Sequence, residues 1–262
     1  MSDYATGAAY ELLSQHKRKT QFHSLAPTFP ITDQSRAYDV QDALVTRLLQ
    51  EQATTAIGYK IGLTSPRMQE MCGTDQPIAG VIAANRILRS PARLHAKDYG
   101  RLGIEFEICV RLASDLPRSG VAVTRADAAA AVGSVAPAFE VIDDRNAEYA
   151  GLDILSVVAD NSWNAGAVFG EFKSSWPDLA NVEARLHQDG EKIDSGRGRE
   201  ILGHPFESVA WLANHLATRG RTLRAGQLVM TGSILRTLFP KDGETYRLDI
   251  GPIGNVEVTI AD

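Results

Sequence analysis

Glu105 and Glu107 stand two residues apart in Gly-Ile-Glu-Phe-Glu-Ile-Cys-Val, residues 103–110, a run whose other members are nearly all apolar. Residues spaced by two on a strand project to the same face. The pattern therefore predicts a strand with Ile104, Phe106, Ile108 and Val110 on one side and both carboxylates on the other. Adjacent like charges repel unless a cation lies between them, and a hard divalent ion with oxygen ligands is the simplest such cation. A third carboxylate, Glu140, lies in a second apolar run, Ala136–Ile142, so two strands together could offer three anionic ligands to Mg²⁺ or Mn²⁺. The same pattern suits a solvated edge strand whose glutamates face water, and spacing alone does not choose between the two. Lys60 is the fourth candidate. It lies between Tyr59 and Ile61 in a stretch, residues 57–65, where Gly58 and Gly62 would let the backbone approach a ligand closely. A lysine in that setting either snorkels to the surface or serves a site.

The elements that must position these groups follow from periodicity. Helical spacing predicts a helix over about residues 5–18, with Ala8, Ala9, Leu12 and Leu13 aligned, and a second over 35–52, with Val40, Leu44 and Leu48 aligned. Thr32 offers only a partial capping signal for the second, because Ser35 rather than an acid follows three residues on. Together they form an N-terminal helical portion, residues 1–55, that packs on the main body or on a partner subunit. Residues 56–262 read as a β-rich body. Its expected elements are the Lys60 strand, a short helix at 66–72, an apolar segment at 78–88 broken by Gly80 and Asn85, and the Glu105 strand. A turn at Asp115–Gly120, a Thr124-capped helix, the Glu140 strand and a strand at 165–170 follow. Gln188-Asp-Gly-Glu191 signals a hairpin, residues 205–219 an amphipathic helix, and 227–234, 246–250 and 256–260 further strands.

A net charge of −5 argues against nucleic acid as the main partner. No apolar run approaches the ~20 residues that span a bilayer, and the polar start lacks a signal-peptide core, so a cytoplasmic address is expected. Two cysteines are too few for a disulfide framework, and Cys109 reads as a small core residue. No glycine-rich phosphate loop of standard spacing is present, so no organic cofactor is expected.

Five ordered stretches resemble one family: Gly58-Tyr-Lys-Ile-Gly-Leu-Thr-Ser65, Ile104-Glu-Phe-Glu107, Pro137-Ala-Phe-Glu-Val-Ile-Asp143, Val158-Ala-Asp-Asn161, and Gly203-His-Pro205 with Val209-Ala-Trp-Leu-Ala-Asn214. They are similar to the 2-keto-4-pentenoate hydratase and 4-oxalocrotonate decarboxylase group of the fumarylacetoacetate hydrolase superfamily. The resemblance implies an α+β fold, a mixed β-sheet roll of the fumarylacetoacetate hydrolase C-terminal-domain type with a helical N-terminal portion. It implies Glu105, Glu107 and Glu140 as ligands of Mg²⁺ or Mn²⁺, and Lys60 and Asn161 as catalytic groups. Ile61, Ser65, Thr231, Gly232 and Ser233 are implied to lie against substrate. The implied chemistry is that of a lyase: a 2-keto acid chelates the ion through its carboxylate and keto oxygens, and the ion stabilises the enolate. A lysine desolvated near that ion is expected to have its ammonium form disfavoured and to act as acid or base near neutral pH.

The choice of reaction is divided. Ile78 stands where hydratases of the group often carry an aspartate, and Asp153–Asn161 leans toward the decarboxylases, with Asp75 in the same loop a possible substitute carboxylate; Tyr59-Lys-Ile-Gly62 and Asn164-Ala-Gly166 look more like hydratases. Hydration of a 2-hydroxypenta-2,4-dienoate from aromatic catabolism is the favoured expectation, with decarboxylation of a 2-oxo-3-hexenedioate second. Carbon-carbon hydrolysis ranks third, because the lid candidate at 66–72 offers Glu70 but no histidine. A non-catalytic partner subunit is the remaining class. A homo-oligomer, or a complex with a pathway-neighbour enzyme, is expected, with Leu12, Leu13, Leu44 and Leu48 as a candidate interface.

Overall fold

A computed structural model describes residues 3–116 and 120–262. Residues 117–119 of the turn predicted at Asp115–Gly120 lie outside the described residues. The larger of two sheets contains β1 (Ala56–Gly62), β2 (Ile78–Ala83), β3 (Ile87–Arg89), β5 (Leu102–Leu112), β6 (Val132–Asp143), β7 (Asn164–Phe169) and β10 (Leu228–Ser233), in the order β2-β1-β10-β5-β6-β7-β3. β1 pairs parallel to β10 and β3 parallel to β7, while the remaining pairs are antiparallel. The smaller sheet runs β4 (Ala92–His95), β12 (Asn255–Ala261), β11 (Thr245–Ile250), β8 (Glu183–Gln188), β9 (Glu191–Arg197). This is the mixed-sheet α+β architecture that the motifs imply.

The long central pair β5 and β6 shows how pattern becomes packing. Ile104, Phe106, Ile108, Val110, Phe139 and Val141 turn to one face and join the main core, where the Phe106 and Phe139 rings meet edge to face at 5.6 Å. The other face carries the carboxylates and, beyond them, a small separate cluster that includes Ile82, Cys109, Ala138, Ala167, Phe169 and Met230. Cys109 is a core residue, as its neighbours suggest. The sheet curls so that β2 approaches β7, enclosing this second face.

The first face shares one core with the smaller sheet, whose β11 and β12 lie against β6, and with the helices, of which the one over Pro205–Thr218 lies on β10. α1 (Asp3–Arg18) packs on α2 (Gln34–Glu51), and α2 packs on α5 (Ile154–Ala159). The cap of α2 is Asp33, not Thr32: its carboxylate accepts from the Arg36 amide at 2.9 Å, a stronger acceptor placed to reach N3. Leu12, Leu13 and Leu44 are buried in the chain's own core and Leu48 packs against it. The apolar stripe proposed as a partner interface is thus turned inward. α5 lies in a stretch to which periodicity assigns no element. α3 (Pro66–Met71) and α4 (Arg125–Ala131) match their predicted positions, the latter with a full Thr124–Asp127 capping box. In α6 (Pro205–Thr218), His204 is structural, its Nδ1 accepting from the Phe206 amide at 3.0 Å. Among the described residues no helix is long and apolar enough to cross a membrane.

Candidate metal centre

β5 lies inside the sheet with β10 and β6 on either side, so its glutamates are not on a solvated edge. Glu105 pairs directly across from Glu140, and Glu107 from Ala138 and Ser233, which puts the three carboxylates on one face. Their ligand atoms lie within 4.8 Å of one another. Glu107 and Glu140 are fully buried and Glu105 is partly exposed, so the cluster has one open side. On β1, Lys60 pairs with Gly80 and Met230 and is 3% exposed. It does not snorkel: Nζ lies 3.2 Å from Glu140 Oε1.

Each carboxylate is held by a neighbour. The Gly232 amide donates to Glu107 Oε2 at 2.7 Å, the Asn164 amide to Glu140 Oε1 at 2.9 Å, and the Thr237 hydroxyl to Glu105 Oε1 at 2.5 Å. Gly232 has φ +113°, and a Cβ there would meet Thr64 Oγ1 at 2.3 Å, so glycine is required to aim that amide. Glu107 Oε1 and Glu140 Oε2 are buried without a hydrogen-bond partner among the described residues. Buried, unpartnered anionic oxygens are costly. Three carboxylates against one ammonium also leave two negative charges uncompensated, the charge that a divalent cation carries. All-oxygen donors suit a hard cation, and three of them leave positions free for a bidentate ligand and water. The residues fit Mg²⁺ or Mn²⁺ on their own chemistry.

Burial, then Glu140 and Glu105, push Glu107 well above the usual carboxylate range. Burial pushes Glu140 up to about 7, with Lys60 and Asn164 opposing it and Glu105 adding to it. Lys60 corrects an expectation. Burial lowers its pKa, but Glu140, Glu105 and Glu107 together outweigh burial and raise it above the ordinary lysine value, so the ammonium is favoured.

A pH prediction follows from Glu140. Its folded pKa exceeds its unfolded value of about 4.3, so its contribution to stability is whole below that value and is lost as pH rises through about 7. Melting temperatures of the chelator-treated protein should fall between about pH 5 and pH 8. Added Mn²⁺ should raise them more at pH 8, because binding at low pH must displace a proton. An equal Mn²⁺ shift at both pH values would contradict the assignment.

The other expected site residues divide. Asn161 is buried and close to the lysine stem, but its amide is committed: Oδ1 accepts from Val81 N at 2.7 Å and Nδ2 donates to Val81 O at 2.9 Å. It braces β2 instead of offering a free amide. Ile61 is adjacent to Lys60, so strand alternation sends its side chain into the main core. Ser65 caps α3, Thr231 donates to Ile108 O at 2.7 Å, and Ser233 donates to Leu235 O at 2.8 Å. These residues shape the backbone around the site. Asn164 and Thr237 were not singled out as carboxylate partners. Asn164 at least lay in a motif already noted, whereas nothing in the local sequence marks Thr237.

Comparison with known proteins identifies the family. The fumarylacetoacetate (FAA) hydrolase C-terminal family model matches residues 65–261, and the chain belongs to that family. Among its relatives, a 2-hydroxyhexa-2,4-dienoate hydratase of Comamonas testosteroni is 32% identical over 238 residues, covering 87% of this chain and 89% of that protein. A 4-oxalocrotonate decarboxylase of Pseudomonas putida is 31% identical over 236 residues, covering 88% and 87%. Within the family, then, the chain falls in the 2-keto-4-pentenoate hydratase and 4-oxalocrotonate decarboxylase group. The solved 4-oxalocrotonate decarboxylase from Pseudomonas putida G7, complexed with magnesium and adipate, superposes with a TM-score of 0.91 at 29% identity, covering 98% of this chain and 97% of that one.

Proposed function

We propose that the chain is a divalent-metal-dependent lyase acting on a small 2-oxo acid or its dienol. The favoured reaction is hydration of a 2-hydroxypenta-2,4-dienoate, with Mg²⁺ or Mn²⁺ held by Glu105, Glu107 and Glu140. The observation that carries this reading is the carboxylate trio, two of its members fully buried, with an ammonium 3.2 Å from one of them. A bound divalent cation would polarise the carbonyl of a 2-oxo acid. Lys60 supplies the proton: its buried Nζ lies 3.2 Å from Glu140 Oε1, and without a cation the carboxylates favour its ammonium form. Gly232, Asn164 and Thr237 hold the carboxylates in register. The helical portion, residues 1–55, and the body, residues 56–262, act as one unit, a reading that their shared core supports.

Decarboxylation of a 2-oxo-3-hexenedioate is the second reading, favoured by Ile78. Its Cγ1 and Lys60 Nζ both lie 3.4 Å from the position a Cβ on Gly62 would take, so an apolar group flanks the ammonium. Asp75 is exposed on its loop, and Ile78 itself is buried. Incubation with each substrate, with and without chelator, separates the readings. Hydration predicts a 4-hydroxy-2-oxo acid that chelation abolishes. Release of CO₂ without hydroxy acid would replace the first reading by the second, and full turnover after chelation would overturn both.

A further inference from the structure

Behind the metal centre lies a buried ion cluster that the proposed chemistry does not use. Arg145 and Asp160 are both fully buried, with Arg145 Nη2 2.8 Å from Asp160 Oδ2. His16, from α1, places Nε2 2.6 Å from Asp160 Oδ1, and Arg145 also reaches Gln15 Oε1 at 3.4 Å. Burial pushes the Asp160 carboxyl up, but His16 and Arg145 together hold it below the usual range. It is a carboxylate held by the Arg145 guanidinium and the His16 imidazole, whose Nε2 also lies 3.3 Å from Arg145 Nη1.

The cluster joins two strained turns. Arg145 and Asn146, which follow β6, have φ of 46° and 59°, and Asn161, Ser162 and Trp163, which precede β7, have φ of 52°, 50° and 59°. Runs of left-handed non-glycine residues persist only where surrounding structure over-determines them. The second turn reaches both halves of the active centre. On one side, the Asn161 amide clasps Val81 and the Ser162 hydroxyl donates to Ala79 O at 2.9 Å, which fixes β2 behind Lys60. Gly80, the residue opposite Lys60, admits no side chain there, since a Cβ would meet Asn161 O at 2.5 Å. On the other side, the turn delivers Asn164 to Glu140.

We propose that His16, Asp160 and Arg145 are positioning residues: by holding the Asn161–Trp163 turn they set Asn164 on Glu140 and β2 behind Lys60, making α1 part of the catalytic unit. The assignment rests on the metal-centre reading above. Outer partners of metal ligands typically contribute 10–100-fold to affinity or activity.

The test uses the full chain with Asp160→Asn, His16→Ala, Asn164→Ala and the double variant Asp160→Asn/Asn164→Ala. Each is read by circular dichroism, Mn²⁺ titration and steady-state kinetics. Asp160→Asn should stay folded, bind Mn²⁺ about 10-fold or more weakly and lose about 10- to 100-fold in kcat with KM within a few-fold. His16→Ala, which removes a partly exposed partner, should move the same quantities in the same direction by less. In Mn²⁺ affinity the double variant should lose little more than the worse single variant, because the turn reaches the ligand set through Asn164 on Glu140. A folded Asp160→Asn with wild-type Mn²⁺ affinity and kcat would overturn the inference, as would a double variant whose affinity losses multiply. Should Asp160→Asn fail to fold, a His16→Ala variant with unchanged Mn²⁺ affinity and kcat would overturn it equally. Mn²⁺ titration needs no substrate, so absence of wild-type turnover on 2-oxo acids would count against the proposed reaction while leaving this inference to the affinities.

Discussion

Lys60→Met is expected to lower turnover by about 10²- to 10⁴-fold without weakening the grip on a divalent cation. Methionine preserves the packing of the stem, which passes close to Gly80, and removes only the charged end. Among the described residues the ammonium is the one cation paired with Glu140, so its loss leaves the carboxylates more strongly anionic. Cation affinity should therefore be unchanged or higher. That combination separates proton transfer from structure, because a variant that merely disturbed the fold would lose both properties together. Mn²⁺ titration and single-turnover kinetics on a 2-hydroxypenta-2,4-dienoate provide the two readings. Turnover within a few-fold of wild type would remove Lys60 from the mechanism.

Glu140→Gln and Glu107→Gln should show the opposite signature, with cation affinity and turnover falling together by about 100-fold or more, above the range for outer partners. Either change removes one ligand charge from a cluster whose uncompensated charge matches a divalent ion. The Glu140 variant also exposes the ammonium of Lys60 to a neutral neighbour, so burial then weighs more heavily on that lysine. Glutamine fills the same volume, and circular dichroism should report an intact fold. Full metal content with full activity in either variant would contradict the ligand assignment.

Much of the centre was legible because strands write their faces into sequence with a period of two. Glu105, Glu107 and Glu140 stood out as carboxylates inside apolar runs, and the place of β5 inside the sheet, with Glu107 and Glu140 buried, excluded a wet edge. Lys60 was legible as an isolated cation between apolar neighbours, but its charge state was not. That depends on a sum over three carboxylates from two other strands, which no local window contains. α5 escaped notice because Val157 and Val158 favour strand, while the Asp153 cap that starts the helix accepts from Leu155 N at 3.1 Å. The left-handed turn at Asn161–Trp163 contains no glycine to announce it. The apolar stripe of α1 and α2 was legible as buried surface, but periodicity does not say whether the main body or a partner subunit covers it; the chain's own core does.

The central claim, that this centre moves a proton on a 2-oxo acid with a divalent cation and Lys60 together, is tested most directly by hydrogen exchange. The protein is incubated in D₂O with 2-oxopentanoate and Mg²⁺ or Mn²⁺, and loss of the C3 proton signal is followed by nuclear magnetic resonance. Exchange requires the free amine of Lys60 to take the C3 proton and return a deuteron. Wild type should therefore exchange these protons faster than buffer at a rate that rises with pH, abolished by chelator and reduced at least 100-fold in Lys60→Met. Exchange that persists at the wild-type rate after chelation or in the methionine variant would contradict the account.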